Sequence, residues 1–446
     1  MQLFDAPSAI AGDPAPLPIS PPLPPPPRIE ADLRVPMHVA SDIALKSFYF
    51  QGAMRGRDLA EHLCLPFRLV EPILRSLSDA GYCMSGGLGK GERISDESVL
   101  SSVQWTLTQT GRDRARELLD VNQYAGPMPV SFDVYCAVAR QQATVDHRIH
   151  EEEVRRSLQH LVLDDSVLDA LGPALNGRQA VFLYGTPGNG KTSIAEAVTR
   201  LLGPPIAVPR AIWAHGEIIR FFDPIHHTPV DVPDLPPHDR RWVVVERPQV
   251  HVGGELGPHT LELGFDARMG FYEASAQLKA NGGVFFIDDF GRQTRIPAVE
   301  LLNRLIVPLS KGIDFLNLPR VGTTLEVPFT TSLLLATNLR PESLMDEAFL
   351  RRIRFKVHVP EPTVEQYRAI WRKTCESQGI DCDEQVLDWL VEEHYRQAGR
   401  PLRGVHPRDL MAYIVSAAWY RDREPVFDRG SLDAAVRAYF VQGEGG

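Results

Sequence analysis

Two kinds of apolar spacing alternate along the chain. Over residues 40–120, apolar positions recur every three or four residues, so "SDIALKSFYF", "RGRDLAEHLCLP" and "FRLVEPILRSLSDAGYCMSG" each predict an amphipathic helix. The third places Leu69, Val70, Ile73, Leu74 and Leu77 on one face and stops near Gly81. A glycine-rich stretch, "GGLGKGE", follows, and then "SSVQWTLTQTGRDRARELL", which reads as a short strand feeding a final helix. Helical spacing returns in "EEEVRRSLQHLVLDDSVLDALGPAL". Beyond it the period changes. The short, wholly apolar runs "VFLY", "VFFI" and "SLLLAT" are the pattern of parallel strands buried on both faces.

Each of these runs ends in a residue able to do chemistry. "VFLYGTPGNGKTS" turns through Gly185, Thr186, Pro187, Gly188, Asn189 and Gly190 to Lys191, Thr192 and Ser193, a G-x-x-x-x-G-K-[ST] loop between a strand and the helix "SIAEAVTRLL". Such glycines let successive N–H groups face a β-phosphate, and the helix N-terminus adds partial positive charge. Lys191 is then expected to reach the β- and γ-phosphates of ATP, and the Thr192 hydroxyl to ligate Mg²⁺. "GGVFFIDDFGR" ends in Asp288, placed to hold the metal through water, and Asp289, placed to polarise the attacking water. Aspartate is one methylene shorter than glutamate. A base displaced by ~1 Å can cost ~10²-fold, so attenuated or reshaped catalysis is expected. "SLLLATNLRP" brings Asn338 to a strand end, where it could orient that water. "DEAFLRRIRFKVHV" clusters Arg351, Arg352 and Arg354, any of which could reach a neighbour's γ-phosphate, and "GVHPRDLMAYIVSAA" starts a late helix with Arg408.

Composition narrows the class. Acids outnumber Lys plus Arg 57 to 47, a formal charge of −10, which argues against a chain that coats nucleic acid over its whole surface. The five cysteines form no C-x-x-C pair, so reduced thiols are expected, and "HH" at 226–227 has no second ligand pair, so a loop is expected there rather than a metal site. No apolar run approaches the ~18 residues of a membrane span, and no secretory leader pattern opens the chain, so a cytoplasmic protein is expected. Proline density in residues 1–36 predicts a disordered or polyproline-II leader. Turn residues predict a linker over 122–144, and "GEIIRFFDPIHHTPVDVPDLPPHDRRWVVVERPQV" alternates like one β-hairpin with a proline-rich turn.

Three helices, a glycine-rich tip and a strand make residues 37–121 resemble a winged helix-turn-helix domain. Its third helix offers only Arg68 and Arg75 beside Glu71, so docking to protein is favoured over DNA, which stays open. From residue 145 onward the chain resembles an AAA+ ATPase: Lys191 and Thr192 match Walker A, Asp288 and Asp289 Walker B, Asn338 sensor 1 and Arg408 sensor 2. "EAFLRRIRFK" is similar to the arginine-finger stretch of MoxR-type members, whose register puts the finger at Arg352. "GELGPHTLELGFDARMGFYEASAQLKANGG" and "LSKGIDFLNLPRVGTTLEVPF" resemble the helix-2 insert and pre-sensor hairpin of that clade. Nearly the whole chain resembles bacterial ATPases described as having chaperone activity and associated with Flp pilus assembly.

The resemblance implies an α/β core over 145–360 with a five-stranded parallel sheet and an insert, and a helical lid over 361–446. It also implies ATP and Mg²⁺ as ligands and a homo-oligomeric ring, expected as a hexamer because a finger must act in trans. A protein client, without membrane insertion, completes the picture. A DNA-bound regulatory ATPase and a slowly hydrolysing assembly switch remain the alternatives.

Overall fold

The computed structural model describes residues 23–86, 101–143, 148–177, 180–233, 235–344, 351 and 353–440. Five strands form its central sheet: β1 (Val181–Tyr184), β2 (Gln249–Val252), β3 (Val284–Ile287), β4 (Ser332–Thr337) and β5 (Phe355–His358). Their spatial order is β2-β3-β4-β1-β5, and every pair is parallel. Every residue of β3 and β4 is buried, because helices cover both faces. Alternation divides the side chains: Val181, Leu183, Phe286 and Leu334 face the helices Glu151–Leu158, Asp165–Asn176 and Lys191–Leu201. Phe182, Phe285, Ile287 and Leu335 face Leu301, Leu302 and Leu305 of the helix Ala298–Lys311. This order inserts β4 between the strand that enters the phosphate loop and the strand that ends in the acids. The carboxyl ends of three strands therefore meet, the place where open α/β sheets bind ligands. The five-stranded parallel sheet covered by helices is the α/β core that the sequence predicts. Its lid, from Val364–Ser377 to Arg429–Tyr439, has a core of its own around Tyr367, Trp371, Tyr395, Leu410 and Leu432.

The N-terminal domain is a winged helix. Helices Met37–Gln51, Gly56–Leu63, Phe67–Asp79 and Gln109–Val121 pack on a three-stranded antiparallel sheet of Met54–Arg55, Gln104–Leu107 and Cys83–Ser85. The five apolar positions read from the third helix are all buried. Thr108 caps the last helix by accepting the Gly111 N–H at 3.0 Å, and any side chain at Gly111 would strike the Tyr82 carbonyl. Most of the glycine-rich tip lies outside the described residues.

Three expectations are revised. Residues 122–144, read as a linker, contain the strand Val130–Ser131 and the helix Phe132–Ala143, which buries Tyr135, Cys136, Val138 and Ala139. That strand joins Ala211–Ala214, Glu217–Arg220, Phe271–Glu273 and Gly264–Asp266 in a second five-stranded sheet. The expected long hairpin divides. Glu217–Arg220 pairs with Ala211–Ala214 across a tight turn at His215-Gly216, both with positive φ, whereas Trp242–Val245 pairs antiparallel with Ile206–Pro209. Of the leader, residues 23–36 are described, and they are held in place. The Asp239 N–H donates to the Pro24 carbonyl at 2.8 Å, Arg68 Nη2 donates to the Pro27 carbonyl at 3.0 Å, and Leu33 and Val35 enter the winged-helix core. Apolar residues resume there once the proline run has ended.

The winged helix is welded to the second sheet, since Ala211, Ile218 and Phe271 belong to its hydrophobic core. The Gln123 N–H donates to the Met269 carbonyl at 2.7 Å, and buried Lys46 donates to Asn122 Oδ1 at 2.6 Å. On the sheet's other side the hairpin Ile313–Leu318/Thr323–Pro328 leads toward β4. Near its tip Arg320 stacks over Phe265 at 5.0 Å and reaches Glu217 at 3.4 Å.

Candidate nucleotide site

The loop after β1 has backbone angles that only glycine accepts easily. Gly185, Gly188 and Gly190 have φ of 147°, 81° and 86°. A Cβ at Gly185 would sit 2.2 Å from the Val359 carbonyl oxygen. Gly190 then opens the helix Lys191–Leu201, whose first N–H groups and dipole face the loop. Lys191 is 7% exposed, and its ammonium donates to the carbonyls of Gly185 (3.0 Å) and Thr186 (2.9 Å) and to Asn338 Oδ1 (2.7 Å). Burial lowers its pKa, Asp288 and Asp289 oppose that shift, and Arg403 adds to it.

The acids complete a connected set. The Thr192 hydroxyl donates to Asp288 Oδ2 at 3.0 Å, and Asn338 Nδ2 donates to Asp289 Oδ1 at 3.0 Å. Asn338 therefore bridges Lys191 and Asp289, from its place one residue beyond the intervening strand. Burial pushes the Asp288 carboxyl upward, but His251, the Asp289 N–H and the Thr192 hydroxyl outweigh it, so its pKa lies below the ordinary value. His251 Nε2, on β2, is 3.6 Å from Asp288 Oδ2, and that carboxylate raises the imidazole pKa. Asp289 has φ of 47°, in the left-handed region. Its N–H donates to Asp288 Oδ1 at 2.8 Å, and Gln293 Nε2 donates to the carbonyls of both aspartates. Thr192 and Asp288 offer only oxygen atoms, the donor type that suits Mg²⁺ with several waters retained.

The lid touches the loop. Asn189 Nδ2 donates to Thr186 Oγ1 at 2.7 Å, while Asn189 Oδ1 accepts the Gly404 N–H at 3.2 Å. Pro187 is exposed and Ser193 half-buried beside them. Arg408, in contrast, has a side chain 67% exposed and paired with its neighbour Asp409 at 3.3 Å, away from this network. The lid cation whose charge acts on Lys191 is Arg403. Arg352 lies outside the described residues, and Arg351 and Arg354 on either side of it are exposed. Among the described residues no group of three or more His, Cys, Asp and Glu side chains is placed to hold a metal ion. His227 is a buried structural residue whose Nδ1 accepts the Asp223 N–H at 2.9 Å and whose Nε2 donates to the Lys279 carbonyl, with its pKa lowered to about 4 by burial.

Sequence reading missed His251, Gln293, Arg403 and the part Asn189 plays toward the lid. Only His251 carried a signal, as the one polar residue inside the apolar run "VHV".

A family model described as a domain of unknown function, DUF8689, matches residues 363–438, which lie in the lid. No curated protein sequence matches the chain. Among solved structures, a MarR family regulator from Neisseria meningitidis is similar at 20% identity and a TM-score of 0.15, covering 18% of this chain and 51% of that one. NtrX from Brucella abortus, in complex with ATP, is similar at 14% identity and a TM-score of 0.35, covering 78% and 65%. A Thermotoga maritima RuvB mutant is similar at 13% identity and a TM-score of 0.35, covering 65% and 70%. The chain thus spans about half of the first structure and just under two thirds of the second. No helix among the described residues is long and apolar enough to cross a membrane.

Proposed function

We propose that this chain is an ATP hydrolase of the AAA+ type that couples nucleotide turnover to remodelling of a protein partner. The observation that carries the reading is the continuous set Lys191–Asn338–Asp289 beside Thr192–Asp288, assembled from the ends of three adjacent strands. The loop N–H groups and Lys191 bind the β- and γ-phosphates. Asn338 exchanges its bond to Lys191 for one to the attacking water, and Asp289 accepts that water's proton. Mg²⁺ on Thr192, and through water on Asp288, would neutralise the developing phosphate charge.

A homo-oligomeric ring, probed as a hexamer, brings Arg352 of one subunit to the γ-phosphate of the next. The insert over 254–283, with its strands Gly264–Asp266 and Phe271–Glu273, and the hairpin before β4 support placement in the helix-2 insert branch near MoxR-type members. Docking of a protein client on the winged helix is favoured over DNA reading. Arg75 is paired with Glu71 at 2.8 Å, and Arg68 is tied to the leader.

The test is steady-state ATP hydrolysis against protein concentration, for wild type, Arg352→Ala, and mixtures of Arg352→Ala with Lys191→Ala. Turnover per subunit is expected to rise with concentration and to collapse in Arg352→Ala. Mixing is expected to restore part of it, because each variant supplies what the other lacks. Turnover that is independent of concentration and indifferent to Arg352 sinks the ring. Absence of hydrolysis in wild type at every concentration sinks the enzyme and leaves a nucleotide-gated switch.

A further inference from the structure

A cleft of about 570 Å³ lies where three parts of the chain meet. The leader contributes Pro26 and Pro27, the winged helix contributes Cys64, Leu65 and Pro66, and the ATPase part contributes Arg210, Arg240, Trp242 and the run from Leu235 to His238. Its volume falls in the range of small-molecule sites, about 300–1,000 Å³. Proline walls are rigid, so little side-chain freedom is lost when a ligand packs against them.

The two charged side chains that line the cleft, Arg210 and Arg240, are both cations. Arg210 lies over the Phe222 ring at 5.9 Å, its Nε donates to the Arg240 carbonyl at 3.5 Å, and its charge bears on the Cys64 thiol. Neither Arg210 nor Arg240 has a carboxylate within ion-pair distance among the described residues. The acid between them in sequence, Asp239, is held by Arg241. Trp242 lines the cleft wall and is 2% exposed. On a chain of formal charge −10, two guanidiniums without a carboxylate partner among the described residues, over an apolar floor, form a local site for negative charge.

We propose that this cleft binds a small organic anion, with a carboxylate or phosphate head held by Arg210 and Arg240 and an apolar body against Pro27, Pro66 and Trp242. The walls belong to three segments, so the bound molecule ties the leader and the winged helix to the ATPase part. This inference is independent of ATP hydrolysis.

Calorimetric titration of the full chain with phenylacetate and with phenyl phosphate tests it, with phenylacetamide as the uncharged control. Saturable binding of an anion is expected, together with a raised Tm and much weaker binding of the amide. Arg240→Gln, at an exposed position that leaves the fold intact, and Arg210→Gln are each expected to weaken binding by about 10- to 100-fold. Lys191→Ala, which disables the phosphate loop, is expected to leave it unchanged. Three results overturn the proposal: no saturable binding of either anion, equal binding by the arginine variants, or binding that Lys191→Ala abolishes. The choice between carboxylate and phosphate follows from which anion binds more tightly.

Discussion

Replacing Asp289 by asparagine separates its chemistry from its geometry. The residue sits at φ 47°, where an ordinary L-residue pays roughly 1–2 kcal/mol, but asparagine and aspartate visit this region routinely. Asparagine also keeps an Oδ1 to accept the Asn338 amide and an N–H to donate to Asp288. Asp289→Asn is therefore expected to change stability by less than about 0.5 kcal/mol and to leave ATP affinity within about threefold of wild type. Removing the proton acceptor is expected to slow hydrolysis by about 10²–10⁴-fold, or roughly 2.7–5.5 kcal/mol of barrier. Asp289→Glu restores the longer carboxylate but places a residue without aspartate's tolerance in the left-handed region, at a cost of about 1 kcal/mol, and its longer arm overshoots Asn338. Its turnover is expected to lie between wild type and Asp289→Asn rather than above wild type. Single-turnover hydrolysis, nucleotide titration and a thermal melt on the three proteins decide the matter. Hydrolysis by Asp289→Asn within about threefold of wild type would refute the assignment of Asp289 as proton acceptor. A glutamate variant faster than wild type would refute the argument from backbone geometry.

Gly188→Ala adds a Cβ 2.6 Å from Val405 Cγ1 at φ +81°, so it is expected to push the lid loop off the phosphate loop and weaken ATP binding by about tenfold or more, read by calorimetry. Lys46, 2% exposed, has its pKa lowered by burial from 10.5 to about 8, with Asp42 opposing. Between those values the unfolded chain keeps a proton that the folded chain has released, so stability rises with pH by up to about 1.4 kcal/mol per unit. The Tm advantage of Lys46→Met over wild type is thus expected to be largest below pH 8 and to shrink toward pH 10.5, and a constant difference refutes it. Arg241→Met strips the partner from Asp239, a pair only 4% exposed on either side, and leaves the Pro129 carbonyl without its donor. A loss of about 3–5 kcal/mol is expected, seen as a lowered Tm.

What could be read from the sequence was local. The phosphate loop, the acid pair and the strand-end asparagine each lie within a dozen residues of the apolar run that positions them, and the winged-helix faces follow a 3.6-residue period. The second sheet was hidden because its strands are two to four residues long and pair across large sequence separations, as Val130–Ser131 does with Ala211–Ala214. The two halves of the expected hairpin are alike in pattern, and only the tight turn at His215-Gly216 shows which partner Glu217–Arg220 takes. His251 meets Asp288 through strand adjacency, and the left-handed backbone of Asp289 leaves no mark in composition. Among the lid arginines, Arg408 carried the motif, whereas the charge of Arg403 bears on Lys191.

The welded junction bears on how turnover could do work. If the winged helix hung on a free linker, motion at the phosphates would be lost before reaching it. Instead Asn122 and Gln123 are bonded to Lys46 and Met269, and the sheet that carries Met269's neighbours is held by Arg320 from the hairpin that leads toward β4. β4 ends one residue before Asn338, which bridges Lys191 and Asp289. A γ-phosphate that takes Lys191 from Asn338 therefore acts on the strand whose preceding hairpin touches the second sheet, and that sheet shares a core with the winged helix. Under the proposed mechanism such a path would move the winged helix and insert together, with the leader, which is bonded at Pro24 and Pro27. A client held there, as the proposed function requires, would be displaced as a body, which suits the proposed remodelling of a folded partner better than a tethered reader domain.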